Sequence, residues 1–131
     1  ELKLYRLYFR IANYSQASTW LLNGSFDDVL RRYVKAGCYS VCFTHDNSEV
    51  AAAGVILIKD VPTNDVLDYY LCNASSNSII IIENIHVSKE ATKIWNSIVQ
   101  DARVGRTFDL YYCGIIFMDK EKCKQHYIVN F

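Results

Sequence analysis

The spacing of apolar and polar residues changes along the chain, and each change predicts a different element. Residues 2–12 alternate loosely between apolar and polar side chains, which predicts a first strand. A short helix is predicted over 15–22, where the turn dipeptide Asn23-Gly24 ends it. The chain therefore opens with the pattern of a strand followed by a helix.

The next stretch predicts a helix and then a hairpin. Ser25 is placed to cap a helix that continues at helical spacing to Gly37. Residues 38–44 and 49–60 are rich in β-formers and are separated by four polar residues, which predicts two antiparallel strands. Residues 66–71 fit either a helical turn or a strand.

The second half of the chain carries the strongest patterns. Four isoleucines and the residues after them predict an interior strand over 79–87. Ser88 caps a helix whose apolar residues share one face and which stops at Gly105. A long strand is predicted over 108–118 and a helix-like finish over 119–131, so the predicted order is β, α, α, β, β, β, α, β, α.

Length and composition indicate one domain and argue against nucleic-acid partners and membrane-spanning helices. The 131 residues are 51% hydrophobic, which predicts one packed α/β domain over 1–131 with a mixed sheet flanked by helices. Fourteen basic residues balance fourteen acidic ones, so we expect no nucleic-acid partner. No apolar run approaches the ~20 residues of a transmembrane helix, and none is expected.

Cysteines and glycosylation triplets leave the compartment open. The odd number of cysteines and the absence of Cys-x-x-Cys argue against a metal centre and suit either buried thiols or one disulfide. Three Asn-x-Ser triplets are candidate glycosylation acceptors, at Asn13, Asn23 and Asn73. A cytoplasmic location is slightly favoured over a secreted one, and the oligomeric state is not indicated.

The order of elements, read with three local phrases, resembles the acetyl-CoA-dependent N-acetyltransferases of the GNAT superfamily. Residues 49–55 are similar to the third strand of that family, and Ile85-His86-Val87 is similar to the end of its fourth strand. Residues 120–131 are similar to its fourth helix, with the chain truncated before the last two strands. The resemblance implies acetyl-CoA as cofactor and an amine as substrate.

The family's glycine-rich pyrophosphate loop is missing after Val87. The resemblance implies that the backbone of Ile85, His86 and Val87 pairs with the pantetheine arm of the cofactor. The chain then enters the helix directly through Ser88 and Lys89, whose free N–H groups and charge can meet a phosphate, although Glu90 opposes it.

The resemblance also implies two catalytic residues. Glu83 takes the place of the base that removes a proton from the amine, and Tyr127 takes that of the acid that protonates the thiolate. A strand-end carboxylate is more often only paired or solvated, and His126 competes for the role of Tyr127. His86 on an apolar strand is typical of a structural, hydrogen-bonded histidine.

Two other functional hypotheses stay open. The first is a secreted or surface glycoprotein that uses the α/β scaffold to bind a protein partner. The second is the same fold with catalysis lost, which the missing glycine loop favours.

Overall fold

A computed structural model describes residues 2–119 and 124–130, and its backbone contains four α-helices and one 3₁₀ helix. The helices are α1 (Leu2–Ser15), α2 (Asp28–Gly37), the 3₁₀ helix (Asn47–Ala52), α3 (Asn64–Asn73) and α4 (Lys89–Gln100). None of the helices in these residues is long and apolar enough to cross a membrane.

All the strands that the structure describes belong to one mixed sheet of seven strands. They are β1 (Thr19–Asn23), β2 (Cys42–Thr44), β3 (Val55–Ile58), β4 (Ile79–Glu83), β5 (Arg106–Asp109), β6 (Cys113–Phe117) and β7 (Gln125–Ile128). Their order across the sheet is β2-β1-β3-β4-β6-β5-β7. Among these seven, β6 alone runs opposite to the rest, because it pairs antiparallel with both β4 and β5.

The two faces of the sheet carry different helices. Tyr8 of α1 and Leu30 of α2 pack on one face with Trp20, whereas Tyr70 of α3 and Trp95 of α4 pack on the other. The connection from β1 to β2 therefore crosses one face of the sheet, and the connection that follows β3 crosses the opposite face. A reversal of this kind leaves a crevice at the carboxyl ends of the strands, where open α/β sheets bind ligands.

Local signals explain the elements that the sequence predicted well. The predicted α/β class, a mixed sheet flanked by helices, is confirmed. Ser88 caps α4 by accepting a hydrogen bond from the N–H of Ala91 at 3.0 Å. Every residue of Ile79–Glu83 is buried, as expected for an interior strand of β-branched residues. The helix predicted to begin at Ser25 instead starts at Asp28, because the carboxylate of Asp27 accepts from the N–H of Leu30.

The first two elements were predicted wrongly. Residues 2–12 form part of α1, whose buried residues Leu7, Tyr8, Ile11 and Ala12 recur at helical spacing that the loose alternation concealed. The segment predicted as a helix over 15–22 contains all but the last residue of β1, a strand with three buried apolar residues between two parallel neighbours. Burial between other strands overrode the weak local preference.

The predicted hairpin over 38–60 was also wrong. β2 and β3 both pair parallel with β1 and not with each other. The 3₁₀ helix separates them, and its first turn is capped by Asp46, whose carboxylate accepts from the N–H of Ser48. Residues 49–52 of the family-like phrase thus belong to a 3₁₀ helix, and the ambiguous stretch at 66–71 lies in α3.

Three later predictions need correction. Strand 79–87 ends at Glu83, so Ile85-His86-Val87 lies in the turn before α4 and not in a strand. The long strand over 108–118 is a β5–β6 hairpin that turns at 110–112. The helix-like finish contains β7 where it is described, and 120–123 and Phe131 lie outside the described residues.

Candidate functional site

The carboxyl ends of β1, β3 and β4 and the turn between β5 and β6 form one edge of the sheet, and two groups of polar side chains lie along it. The first group surrounds the point where the chain reverses, between β1 and β3. The second surrounds the turn between β4 and α4. The two groups contain different kinds of side chain and suggest different roles.

The reversal-point group is a small, mostly closed pocket of about 90 Å³. The hydroxyl of Tyr8 donates to the carboxylate of Glu83, and the hydroxyl of Tyr5 donates to Asp27 at 2.9 Å. The ammonium of Lys59 lies 5.1 Å from the centre of the Phe26 ring. The pocket is too small for an organic cofactor, which needs a cleft of roughly 300 Å³ or more.

Hydrogen bonds within the pocket fix the charge of one of its carboxyl groups. The N–H of Leu30 and the hydroxyl of Tyr5 both donate to Asp27, and these bonds lower the pKa of that carboxyl. Asp27 is also the N-cap of α2, where a negative charge is favoured. Asp27 is therefore committed to holding α1 and α2 together at this edge.

The second group is built on His86. Its Nε2 lies 2.7 Å from Oδ2 of Asp109, the last residue of β5, and its Nδ1 lies 3.1 Å from Oγ1 of Thr92 on α4. Asp109 is buried, and its other carboxylate oxygen accepts from the N–H of Tyr111 at 2.8 Å. Both ring nitrogens of His86 are thus in hydrogen-bond contact, and these contacts fix the orientation of the imidazole.

His86 lines an open cleft of about 500 Å³ at the start of α4. The other lining residues are Ser88, Lys89, Thr92, Lys93 and Asn96, all on the first two turns of the helix or at its cap. Lys89 and Lys93 are four residues apart and therefore lie on the same side of the helix. The cleft combines two ammonium groups with the positive end of a helix.

Two residues at this edge have left-handed backbone angles that are uncommon for residues other than glycine. Asn84 has φ of 62° and Tyr111 has φ of 69°. Asn84 is held by its side-chain amide, which donates to the carbonyl of Lys59 at 3.1 Å and to Asp60 at 3.0 Å. Asparagine adopts this region readily, so Tyr111 is the strained residue of the two, and strained residues cluster at binding and catalytic sites.

The structure separates the two residues predicted to be catalytic. Glu83 ends β4 and is 9% exposed, whereas Tyr127 lies on the edge strand β7, stacked on Phe108 with its hydroxyl bound to Gln125. β6 and β5 stand between β4 and β7, so three strand spacings of roughly 4.8 Å, or about 14 Å, separate them. Neither residue lines the cleft at α4.

The predicted cofactor residues fall partly together. His86, Ser88 and Lys89 line the cleft, Val87 is exposed beside them, and Ile85 is buried with its carbonyl accepting from Thr92 at 3.2 Å. Asp109 was not identified from the sequence. An aspartate at the start of a turn is the one sequence signal for this residue. Its carboxylate makes an Asx turn with the N–H of Tyr111, inside the stretch that the sequence predicts as a single strand.

The glycosylation candidates differ in their surroundings. Asn13 and Asn73 are exposed near the C-terminal ends of α1 and α3. Asn23 is partly buried. Its amide donates to the hydroxyl of Tyr70, and the amide of Asn73 donates to the carbonyl of Tyr69, both at 2.8 Å, so an attached glycan would disturb a bond at either residue. Within the described residues the four cysteines, Cys38, Cys42, Cys72 and Cys113, are all free thiols.

Comparison of the chain with protein-family models, with curated proteins and with solved structures found no match. In the part of the chain that the structure describes, no group of three or more His, Cys, Asp or Glu side chains is arranged to hold a metal ion.

Proposed function

We propose that this domain binds a phosphate-bearing coenzyme in the cleft at the start of α4, with acetyl-CoA as the first ligand to test. The observation that carries the proposal is the placement of Lys89 and Lys93 beside His86 in one open cleft of about 500 Å³. The cleft is shallow and open to solvent, so these charged and polar groups would provide most of the binding.

The start of α4 provides the donors that a phosphate needs. The N–H groups of Lys89 and Glu90 occupy the first two positions of the helix and have no acceptor within it. They point out of the helix end, where its dipole favours negative charge. The lysine ammonium groups add two positive charges on the same side, which offset the single negative charge of Glu90.

Acetyl transfer to an amine remains the predicted reaction. Among the residues that line the cleft, we choose His86 as the proton-transfer group, because the buried carboxylate of Asp109 orients it. Glu83 is buried against Tyr8 at the neighbouring reversal point and Tyr127 lies on β7, so neither meets a ligand bound at α4. The proposal therefore assigns the proton-transfer role to His86.

The first experiment is calorimetric titration of the domain with acetyl-CoA and with coenzyme A at low ionic strength. We expect binding that weakens with added salt, since the attraction is between charges that are open to solvent. The double variant Lys89→Ala/Lys93→Ala should raise the Kd at least about tenfold, because hydrogen bonds to charged groups contribute roughly 1.5–3 kcal/mol each.

The matched control is Arg32→Ala/Lys35→Ala, which removes two exposed basic residues from α2 and leaves the cleft intact. Equal weakening by both double variants would show a general charge effect and not a site at α4. Absence of heat with either ligand, together with no thermal shift, would overturn the proposal.

The reaction needs a separate measurement. Release of free coenzyme A thiol is followed with a panel of amines, and His86→Gln and Glu83→Gln are compared at equal occupancy of acetyl-CoA. Loss of turnover in His86→Gln with retention in Glu83→Gln is the expected result. Binding without turnover by the parent chain would support the catalytically inactive form of the fold.

The glycoprotein hypothesis is tested on native material. Intact mass before and after removal of N-linked glycans reports on occupancy, and the exposure of Asn13 and Asn73 makes these two the expected sites. An occupied triplet would favour the protein-binding scaffold over a coenzyme-dependent enzyme.

A further inference from the structure

Tyr111 combines an unfavourable backbone with an exposed ring. Its φ of 69° lies in the left-handed region, where a bulky aromatic residue is an outlier and glycine or asparagine is the usual choice. Its side chain is 62% exposed, so burial of the ring does not compensate for the strain. The fold alone does not explain a tyrosine at this turn.

The ring of Tyr111 is held in a defined orientation. It stacks on the imidazole of His86 with ring centres 5.3 Å apart and planes inclined by 22°. The backbone N–H of Tyr111 donates to the carboxylate of Asp109. The neighbouring Tyr112 meets it edge-on at 5.2 Å. His86 therefore belongs to two surfaces at once, since it also lines the cleft at the start of α4.

We infer that Tyr111 is a stacking platform for the planar base of a purine nucleotide whose phosphates lie over the start of α4. The inference rests on the proposed function and names the ligand class of the same site. A phosphate group near Lys89 and a base on Tyr111 are two parts of one ligand, with His86 between them. ADP, ATP and coenzyme A all contain an adenosine diphosphate unit, which combines such a base with two phosphates.

Physical chemistry supports an aromatic ring at this place. Every nucleobase has a flat π-face that stacks on aromatic side chains, and the contribution is roughly 1–3 kcal/mol per base, or about 5- to 140-fold in affinity. A ring already fixed by His86 and Tyr112 loses little conformational freedom when the base arrives. The strained turn is the conformation that presents this ring to solvent.

The test compares ligands that contain one part or both. Pyrophosphate probes the phosphate position alone, adenosine probes the base position alone, and ADP probes both. We expect ADP to bind at least about fivefold more tightly than pyrophosphate, from the stacking contribution. The ring protons of Tyr111 should also shift in NMR spectra with ADP and not with pyrophosphate.

The decisive variant is Tyr111→Gly, because glycine adopts positive φ without strain. It should keep or raise the melting temperature, keep pyrophosphate binding, and lose the additional affinity for ADP. Tyr111→Phe should retain that affinity. Tyr39→Leu is the matched control, since Tyr39 is an exposed tyrosine in the segment after α2.

The outcomes separate the two proposals. ADP binding no tighter than pyrophosphate would overturn the stacking inference and leave the phosphate site standing. Absence of binding by both ligands would overturn both proposals. If Tyr111→Gly weakens the binding of ADP and of pyrophosphate equally, Tyr111 only supports the turn. If a single-stranded oligonucleotide binds more tightly than ADP, the ligand is a nucleic acid and not a free nucleotide.

Discussion

At the scale of single residues, the close approach of α4 to the sheet depends on one glycine. Gly114 lies in β6 opposite Ile82, and a Cβ atom built on it would lie 2.4 Å from two ring atoms of Trp95. Trp95 is 1% exposed and its indole N–H has no hydrogen-bond partner among the described residues. Contact between the indole ring and the bare backbone therefore holds this part of the core.

Gly114→Ala should destabilise the protein by about 1–3 kcal/mol, the usual cost of forcing extra atoms into a packed core. The measurement is urea unfolding followed by circular dichroism. The double variant Trp95→Phe/Gly114→Ala should lose less stability than the sum of the two single variants, because the smaller ring makes room for the methyl group. Additive effects of the two substitutions would show that the contact does not limit packing.

At the scale of elements, one arginine joins the C-terminal end of α4 to α3. The guanidinium of Arg103 lies 2.8 Å from the carboxylate of Asp101 and 2.6 Å from that of Asp68. Lys124, just before β7, adds a bond from its ammonium to the carbonyl of Val104 at 3.0 Å. The hydrogen bond from Arg103 lowers the pKa of Asp101.

Arg103→Met should remove about 1 kcal/mol of stability at neutral pH, since these ion pairs are partly exposed and screened by solvent. Because the pKa of Asp101 is lower in the folded state, its contribution is full above about pH 4 and is lost as the pH falls through the folded value. Urea midpoints at neutral pH and near pH 3 should therefore differ less in the variant than in the parent chain.

The matched control for this effect is Arg32→Met, which removes an exposed arginine of α2 that has no ion pair with another described residue. If the difference between the urea midpoints at neutral pH and near pH 3 changes equally in both variants, the effect comes from net charge. A loss confined to Arg103→Met would assign it to the bridge between α3 and α4.

Elements with strong local signals were predictable from the sequence, and the others needed tertiary information. α4 carries its own cap at Ser88 and a clear apolar face, and β4 carries four isoleucines. β1 has no such signal, because a strand of three buried residues is defined by the parallel neighbours on both sides. The parallel pairing of β2 and β3 with β1 joins segments separated by long connections, which no local pattern encodes.

The residues of the candidate site divide in the same way, into those with a local signal in the sequence and those that only the tertiary structure brings together. His86, Ser88 and Lys89 lie close together in the sequence, and the family resemblance names them as cofactor residues. Asp109 is 23 residues away from His86, and it reaches the imidazole only because β6 pairs with both β4 and β5, which brings the carboxyl end of β5 to the edge where β4 ends. The polar pair therefore could not be inferred without the topology of the β5–β6 hairpin.

At the scale of the whole molecule, Cys113 reports on whether the sheet opens as one unit. Its side chain is 0% exposed on β6, between β4 and β5, and burial together with the charges of Glu83 and Asp109 raises the pKa of the thiol to about 12. Only a thiolate reacts with an alkylating reagent, so the thiol of Cys113 is protected both by its burial and by its raised pKa. Cys42 and Cys72 are exposed and are not protected by burial.

In a Cys123→Ser background near pH 8, iodoacetamide should label Cys42 and Cys72 quickly and Cys113 only through opening of the sheet. If the predicted single domain unfolds cooperatively, the free energy from Cys113 labelling should equal that from urea unfolding, because the centre of the core opens only globally. Peptide mass spectrometry against time supplies the rates, with Cys42 as the reference. A smaller free energy from Cys113 would mean that the half of the sheet containing β5, β6 and β7 opens separately, exposing the His86–Asp109 pair without unfolding the four parallel strands.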